Sequence, residues 1–549
     1  MTALQRNLEA LAPHHGELAR QLAHVAPGRR LRVSLSRSGA PTATLLDKRE
    51  IALHSRFDPH KEAAGLVAAS HATGFCLVLG LGLGYHVLEL LAVDSVQAVL
   101  VVEYDLALLR SVLEQRDLSR IWHDSRVSLA VDQPPHAVAA AVARSYVPML
   151  HGNLTTVPLR GRVDGDRQRF ADAGSAVSQA VEAVGADLSV QRVFGRQWMR
   201  NIIINAAEAA PQPQTLPTCS RAIVTAAGPS LEHDIEAIGQ RGADQLLIAT
   251  DTSLPRLLAA GIRPDVVVAI DCQLVSYLHV LGASGQRLIL VADAGVNPAL
   301  PLCFGTTHYV GGSHPLLVYL RARGLPVSFL DTSDGSVTHT AVHLAARLGA
   351  THVEVYGADF CYPHGSAYAR GSYIHSHLLG KATRRSPYAS SLYQFVMERP
   401  ELHLERIDGR RAYVTTVMRN YRRSFDTLAE RVDATIVRTV NGKRIASRRC
   451  AGHARTTRTS IPQAHGRQQP AARSASDPLG AYHGALTELP PPRDPLWRYA
   501  DEISPDQLSL WSTLLPLAAF YSDQQLRAGS AALLDHTLSR ALALLERLL

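Results

Sequence analysis

The sequence predicts an α/β protein whose central Rossmann-like domain carries a parallel sheet, with a smaller α/β region before it and a helical module at the end. Two observations carry this fold class. Short, almost wholly apolar runs alternate with helix-length segments in two places, which is how parallel strands buried on both faces read. Several of the runs in the second place end on a glycine turn or an acid, as strands do where an open parallel sheet meets its ligand crevice. The 549 residues correspond to three or four units at roughly 100–200 residues each.

Composition narrows the class further. With 46% hydrophobic and 19% charged residues, the chain has enough apolar surface to exclude a wholly disordered or fibrous protein. Its cysteines (Cys76, Cys219, Cys272, Cys303, Cys361, Cys450) contain no CxxC pair, which argues against a zinc ribbon or a disulfide framework and for a reducing compartment. No apolar signal core opens the sequence, and no run of about 18 apolar residues occurs in it. A cytoplasmic protein without a membrane span is therefore expected. The net charge of +8 would suit a nucleic-acid binder, but nine Lys or Arg and no acid lie between Arg438 and Ser476, leaving the remainder near −1. A basic linker accounts for that charge, so no nucleic-acid partner is expected.

Residues 1–70 open with a helical leucine pattern (Leu4, Leu8, Leu11, Leu18, Leu22) and turn to short strand-like runs, RLRVSLSRSG and TATLLD. Residues 71–160 contain a strand, a glycine turn, a helix and a strand, FCLVLGLGLGYHVLELLAVDSVQAVLVVEYD, which is one βαβ unit. Residues 161–215 read as a helical connector. Residues 216–440 form the main α/β domain, with strands at AIVTAAG, LLIATD, VVVAID, LILVAD and HVEVYGAD. Residues 441–494 are poor in large apolar groups and read as a flexible basic linker. Residues 495–549 are Leu-rich at helical spacing, suited to packing or to homo-oligomer formation.

Four motifs carry chemistry. Gly80, Gly82 and Gly84 follow a strand and open a helix, and Glu103 closes the next strand, the spacing of a turn that approaches a phosphate with an acid for ribose hydroxyls. Such a turn serves plain helix-to-sheet packing as well. Gly228-Pro229-Ser230-Leu231 ends another strand: Pro229 presets the first helical turn, Ser230 is a cap residue, and the turn would leave backbone donors facing an anion. Asp251 and Asp271 end the next two strands and would serve sugar hydroxyls or a cation, unless each is only a helix cap. Gly357 to Tyr368 brings together Asp359, Tyr362, His364 and Tyr368, with His375 and His377 close behind. Phenols can donate to a departing phosphate, and an imidazole can take a proton from an alcohol.

HSRFDPHKEA (His54 to Ala63), GLGLGYH, AAGPSLEHD, the strands ending at Asp251 and Asp271, and GSVTHTAVHLAARLGATHVEVYGADF, in this order, resemble the motility accessory factor family. The core of that family is called MptE-like, after the archaeal 6-hydroxymethylpterin diphosphokinase. The resemblance covers roughly residues 50–445. It implies a glycosyltransferase that moves a nonulosonic, sialic-acid-like sugar from a CMP-activated donor to Ser or Thr of flagellin or another acceptor protein, with no tightly bound cofactor. The domain is also similar to bacterial sialyltransferases, where a GPSL turn binds CMP and two tyrosines hold the departing phosphate. The corresponding residues here are Gly228, Pro229, Ser230, Tyr362 and Tyr368, with Asp359 beside them. Asparagines of the sialyltransferases are Ala227, Asp251 and Asp271 here, and the two added carboxylates would suit Mg²⁺. A histidine, His375 or His377 before His364, is expected as base. The alternatives are an MptE-like pyrophosphoryl transferase using ATP and Mg²⁺, and a flagellar accessory protein without catalysis.

Overall fold

The computed structural model describes residues 1–47, 49–209, 215–446, 477–525 and 529–549. The chain divides into two compact units: residues 1–195 with 488–541, and residues 196–487 with 542–549.

In the first unit, the helix Ala3–His24 starts on a capping box formed by Thr2 and Gln5. An antiparallel sheet follows, β1 (Leu31–Leu35), β2 (Pro41–Leu46) and β3 (Glu50–Ala52). Then comes a four-stranded parallel sheet, β4 (Gly74–Leu79), β5 (Val96–Glu103), β6 (Val127–Val131) and β7 (Leu154–Pro158), in the order β6-β5-β4-β7. β4 is buried at every position, because both its faces are covered: Cys76 and Val78 pack into one apolar cluster, Phe75, Leu77 and Leu79 into the other. That period of two is the pleat of a doubly covered strand. Phe170, Ala173 and Val177, from the start of the 42-residue helix Arg167–Glu208, complete the second cluster.

The second unit is built on a nine-stranded sheet. Its strands are β8 (Arg221–Thr225), β9 (Gln245–Thr250), β10 (Val266–Ala269), β11 (Ile289–Asp293), β12 (Thr306–Gly311), β13 (Ser328–Phe329) and β14 (His352–Tyr356). After two short strands outside it, β15 (Tyr362–Pro363) and β16 (His403–Ile407), and then β17 (Arg410–Val414), the sheet is completed by β18 (Thr435–Val440) and β19 (Lys443–Ala446). Its order is β13-β12-β11-β10-β9-β8-β14-β18-β19, parallel except for β19. The chain winds outward from β8 in one direction and returns beside it as β14, so the topological switch point lies between β8 and β14, where open α/β sheets bind ligands. β15, β17 and β16 form a small antiparallel sheet.

All five strands expected of the main domain are present. β12, β13, β18 and β19 were not expected: TTHYVG mixes polar with apolar residues, and β18 carries Arg438, which is buried only because Asp408 and the Ala358 carbonyl accept from it. Within the expected linker 441–494, β19 and the helix Pro478–Thr487 stand at the two ends, while 447–476 lie outside the described residues. Tyr482 of that helix meets Tyr319 at 5.3 Å between ring centroids. The C-terminal helices Leu496–Glu502, Pro505–Gln525 and Ser530–Leu548 form, and Leu514, Leu517 and Leu533 are buried within the chain itself. No helix among the described residues is long and apolar enough to cross a membrane.

Candidate active site

The GPSL turn leaves β8 directly against the loop that leaves β14. Gly228 donates its N–H to the Gly357 carbonyl at 2.8 Å, and a Cβ at Gly228 would stand 2.3 Å from Asp359 Oδ2 and 2.4 Å from the Gly357 oxygen. Gly228→Ala therefore forces the two loops apart, and about 1–3 kcal/mol of stability is expected to be lost, measurable by thermal denaturation.

The expected row of free backbone donors is not there. Ser230 donates its N–H to Asp359 Oδ2 at 2.9 Å, and the N–H groups of Leu231, Glu232 and His233 bond back to Gly228, Pro229 and Ser230. The physical reason is that a carboxylate from the neighbouring strand end occupies the first turn of the helix Leu231–Gly239, where an anion is favoured. What the turn still offers is Ser230 Oγ and Asp359 Oδ1, both buried and without hydrogen-bond partners. Burial pushes the Asp359 carboxyl up from its ordinary range.

The loop 357–373 returns to the same place. Ala369 donates its N–H to the Ala227 carbonyl at 2.9 Å, so Tyr368 and the Gly228 turn share one edge. Phe360 holds φ +50° and Gly357 φ +71°; a bulky residue in the left-handed region is strained, and such strain collects at functional loops. Tyr362 and Tyr368 sit among Phe395, Val396 and Met418. Burial raises both phenols, Tyr368 to about 12, where Tyr362, Asp251 and Asp271 also act on it. Both remain protonated hydrogen-bond donors at neutral pH.

Asp251 is 3% exposed, accepts from Thr252 N–H through Oδ1 at 2.8 Å, and turns Oδ2 toward His279 Nδ1 at 3.6 Å. Asp271 accepts from Gln273 N–H at 2.9 Å, and burial, with Asp251 nearby, raises its carboxyl. Neither acid caps the following helix with its side chain. The histidines are more scattered. His364 is exposed on a left-handed residue, and His377 is exposed with Tyr373 Oη 3.4 Å from its Nδ1. His375 lies against Tyr388, its basicity lowered by burial, near the Glu232–Arg370 ion pair. Among the described residues, no three His, Cys, Asp or Glu side chains are grouped so as to hold a metal ion.

Residues 197–365 match the family described as 6-hydroxymethylpterin diphosphokinase MptE-like. An uncharacterized protein of Treponema pallidum (strain Nichols) is 33% identical over 169 residues, 30% of this chain and 79% of that protein. The chain belongs to the MptE-like family. A second uncharacterized protein of the same organism is 34% identical over 121 residues, 22% of this chain and 42% of its own length. The solved MAf glycosyltransferase of Magnetospirillum magneticum AMB-1 shares the fold, with a TM-score of 0.60 at 14% identity, covering 100% of this chain and 96% of that one.

The MptE-like match takes in Gly228, Asp251, Asp271, Asp359, Tyr362 and His364, and stops before Tyr368, His375 and His377. It also takes in a residue that the sequence did not single out, His279, eight positions after Asp271 in the segment QLVSYLHV. The only signal was that this segment follows a strand-end acid.

In the first unit, the glycine turn after β4 is filled by the protein's own side chains. Leu83 N–H donates to His54 Nε2 at 2.8 Å and Leu81 N–H to Glu103 Oε2 at 3.2 Å. Arg162 Nε donates to Glu103 Oε1 at 2.8 Å. The acid that would have met a ribose is thus turned back on the turn, and these donors are spent on packing. His86 holds the Gly80 carbonyl at 3.0 Å, and burial lowers its imidazole to about 4.

Proposed function

We propose that the second unit is an inverting glycosyltransferase that moves a nonulosonic, sialic-acid-like sugar from a CMP-activated donor to Ser or Thr hydroxyls of flagellin. The observation that carries this reading is the convergence near the β8/β14 switch point of a close-approach turn, two strand-end acids and two protonated phenols, Tyr362 buried and Tyr368 half-buried. The fold shared with a MAf glycosyltransferase along the whole chain supports it. The nucleotide lies beside the Gly228 turn, whose missing side chain lets the loop after β14 approach, and the unpaired Ser230 Oγ and Asp359 Oδ1 are the polar atoms nearest its hydroxyls. Tyr362 and Tyr368 donate to the phosphate as it takes up charge. Asp251 and Asp271 bound the sugar side.

A pyrophosphoryl transferase using ATP and Mg²⁺ is favoured only by the description of the matched family. Thermal denaturation separates the two: CMP or CTP without metal is expected to raise the melting temperature, and protection by ATP with Mg²⁺ alone would favour the kinase. Intact-mass spectrometry of flagellin from a strain lacking the gene is expected to show a loss of a few hundred daltons per site, about one sugar each. An unchanged mass, with flagellin still binding the protein, would favour a non-catalytic accessory role.

A further inference from the structure

We propose that His279 is the base that takes the proton from the acceptor hydroxyl, and that Asp251 is the positioning residue that orients it. The assignment rests on the glycosyl-transfer reading above. His279 is 9% exposed, yet neither ring nitrogen has a hydrogen-bond partner. A buried imidazole left in that state costs free energy unless something that binds there supplies the missing partners. Asp251 is fixed from behind by Thr252 N–H, which leaves Oδ2 directed at His279 Nδ1. At 3.6 Å the contact is longer than a hydrogen bond, and catalytic contacts of this kind shorten when substrate fills the site.

Of the histidines at this edge (His279, His364, His375 and His377), His279 is the one with a carboxylate within 4.0 Å of its ring among the described residues. Asp251 and Asp271 act electrostatically both on the Tyr368 phenol and, through their own neighbourhood, with His279. The base and the Tyr368 phenol thus have these acids as common electrostatic neighbours. Tyr373 stands against His279 at 5.7 Å between ring centroids, and its hydroxyl approaches the exposed His377. The carboxylate also accounts for a departure in the sequence. Where the similar sialyltransferases carry an asparagine, an aspartate can hold Nδ1–H and stabilise the imidazolium that forms during transfer.

The step balances without a further reactant. The acceptor oxygen forms a bond to the anomeric carbon of the sugar, its proton moves to His279 Nε2, and the anomeric carbon–oxygen bond to phosphate breaks with its electron pair leaving on CMP. The imidazolium, paired with Asp251, returns its proton to water after product departs.

The test uses full-length protein, flagellin and a CMP-nonulosonate. His279→Asn is expected to lower transfer to flagellin about 100-fold or more while the CMP-induced thermal shift is kept. Azide, an anionic nucleophile with no proton to remove, is expected to restore donor consumption in H279N to near the wild-type rate. Asp251→Asn, close in shape, is expected to lower kcat at least 10-fold with the same azide rescue, and it decides the matter alone should H279N not fold. His375→Gln and His377→Gln are expected to keep transfer within about 3-fold of wild type, well short of the loss of a general base. Wild-type turnover in H279N, or a loss in both H279N and D251N that azide does not rescue, overturns the assignment and leaves the transferase reading standing. A wild-type protein that does not consume the donor overturns that reading and this assignment together.

Discussion

On the proposed glycosyl-transfer reading, replacing Tyr368 with Phe is expected to lower kcat for sugar transfer by about 10²-fold or more while leaving donor affinity within a few-fold of wild type. The substitution removes one O–H and nothing else. The ring stays packed near Phe395, 6.3 Å between centroids, and Ala369 N–H still bonds to Ala227, so the loop keeps its place. The phenol is a strong candidate for leaving-group stabilisation because burial, reinforced by Tyr362 and the two strand-end acids, holds it protonated up to about pH 12. In the ground state the phosphodiester already spreads its charge, whereas in the transition state a second charge gathers on the departing oxygen. A donor placed in a dry pocket gains most at that moment. Steady-state kinetics at several donor concentrations check the split. An equal loss in kcat and affinity would assign Tyr368 to binding, and no loss would remove it from the site.

The sequence made legible what depends on burial and on chain order. All-apolar runs such as VVVA at β10 can be little else than a doubly covered strand, and the turns after β8 and β14 marked the candidate edge because parallel strands end on the same side. It did not reveal what depends on contacts between distant segments. Asp359 lies 129 positions from Ser230, so a GPSL turn read by itself offers a free N–H that the folded chain has already used. His279 gave no local sign, since its significance comes from Asp251, 28 positions earlier, reached only when β9 and β10 pair in register. β18 was hidden by Arg438, a charge that reads as surface until Asp408 is placed beside it. In the first unit the glycine pattern was read correctly as a strand-to-helix turn, but the spacing of Glu103 could not show that the acid points back at the turn and at Arg162.

Arg162→Ala is expected to destabilise the first unit by about 3–5 kcal/mol, the cost of leaving one partner of a buried ion pair without the other. Arg162 is fully buried and Glu103 is 3% exposed. The Arg162 guanidinium Nη2 lies 2.6 Å from Glu103 Oε1, and its Nη1 meets Asp166. Truncation would leave the Glu103 charge facing apolar surroundings and open a void under Gly80, where a Cβ would already stand 2.5 Å from Arg162 Cγ. The double variant Arg162→Met with Glu103→Leu separates charge from packing. Removing both charges relieves the unpaired carboxylate, but Glu103 also accepts from Leu81 and Tyr104 N–H. Those two donors would lose their acceptor at about 1–3 kcal/mol each. The double variant is therefore expected to stay less stable than wild type, and urea denaturation of wild type, Arg162→Met, Glu103→Leu and the double variant closes the cycle and gives the coupling. An Arg162→Ala stability within about 1 kcal/mol of wild type, the scale of an exposed pair, would mean that water reaches the pair.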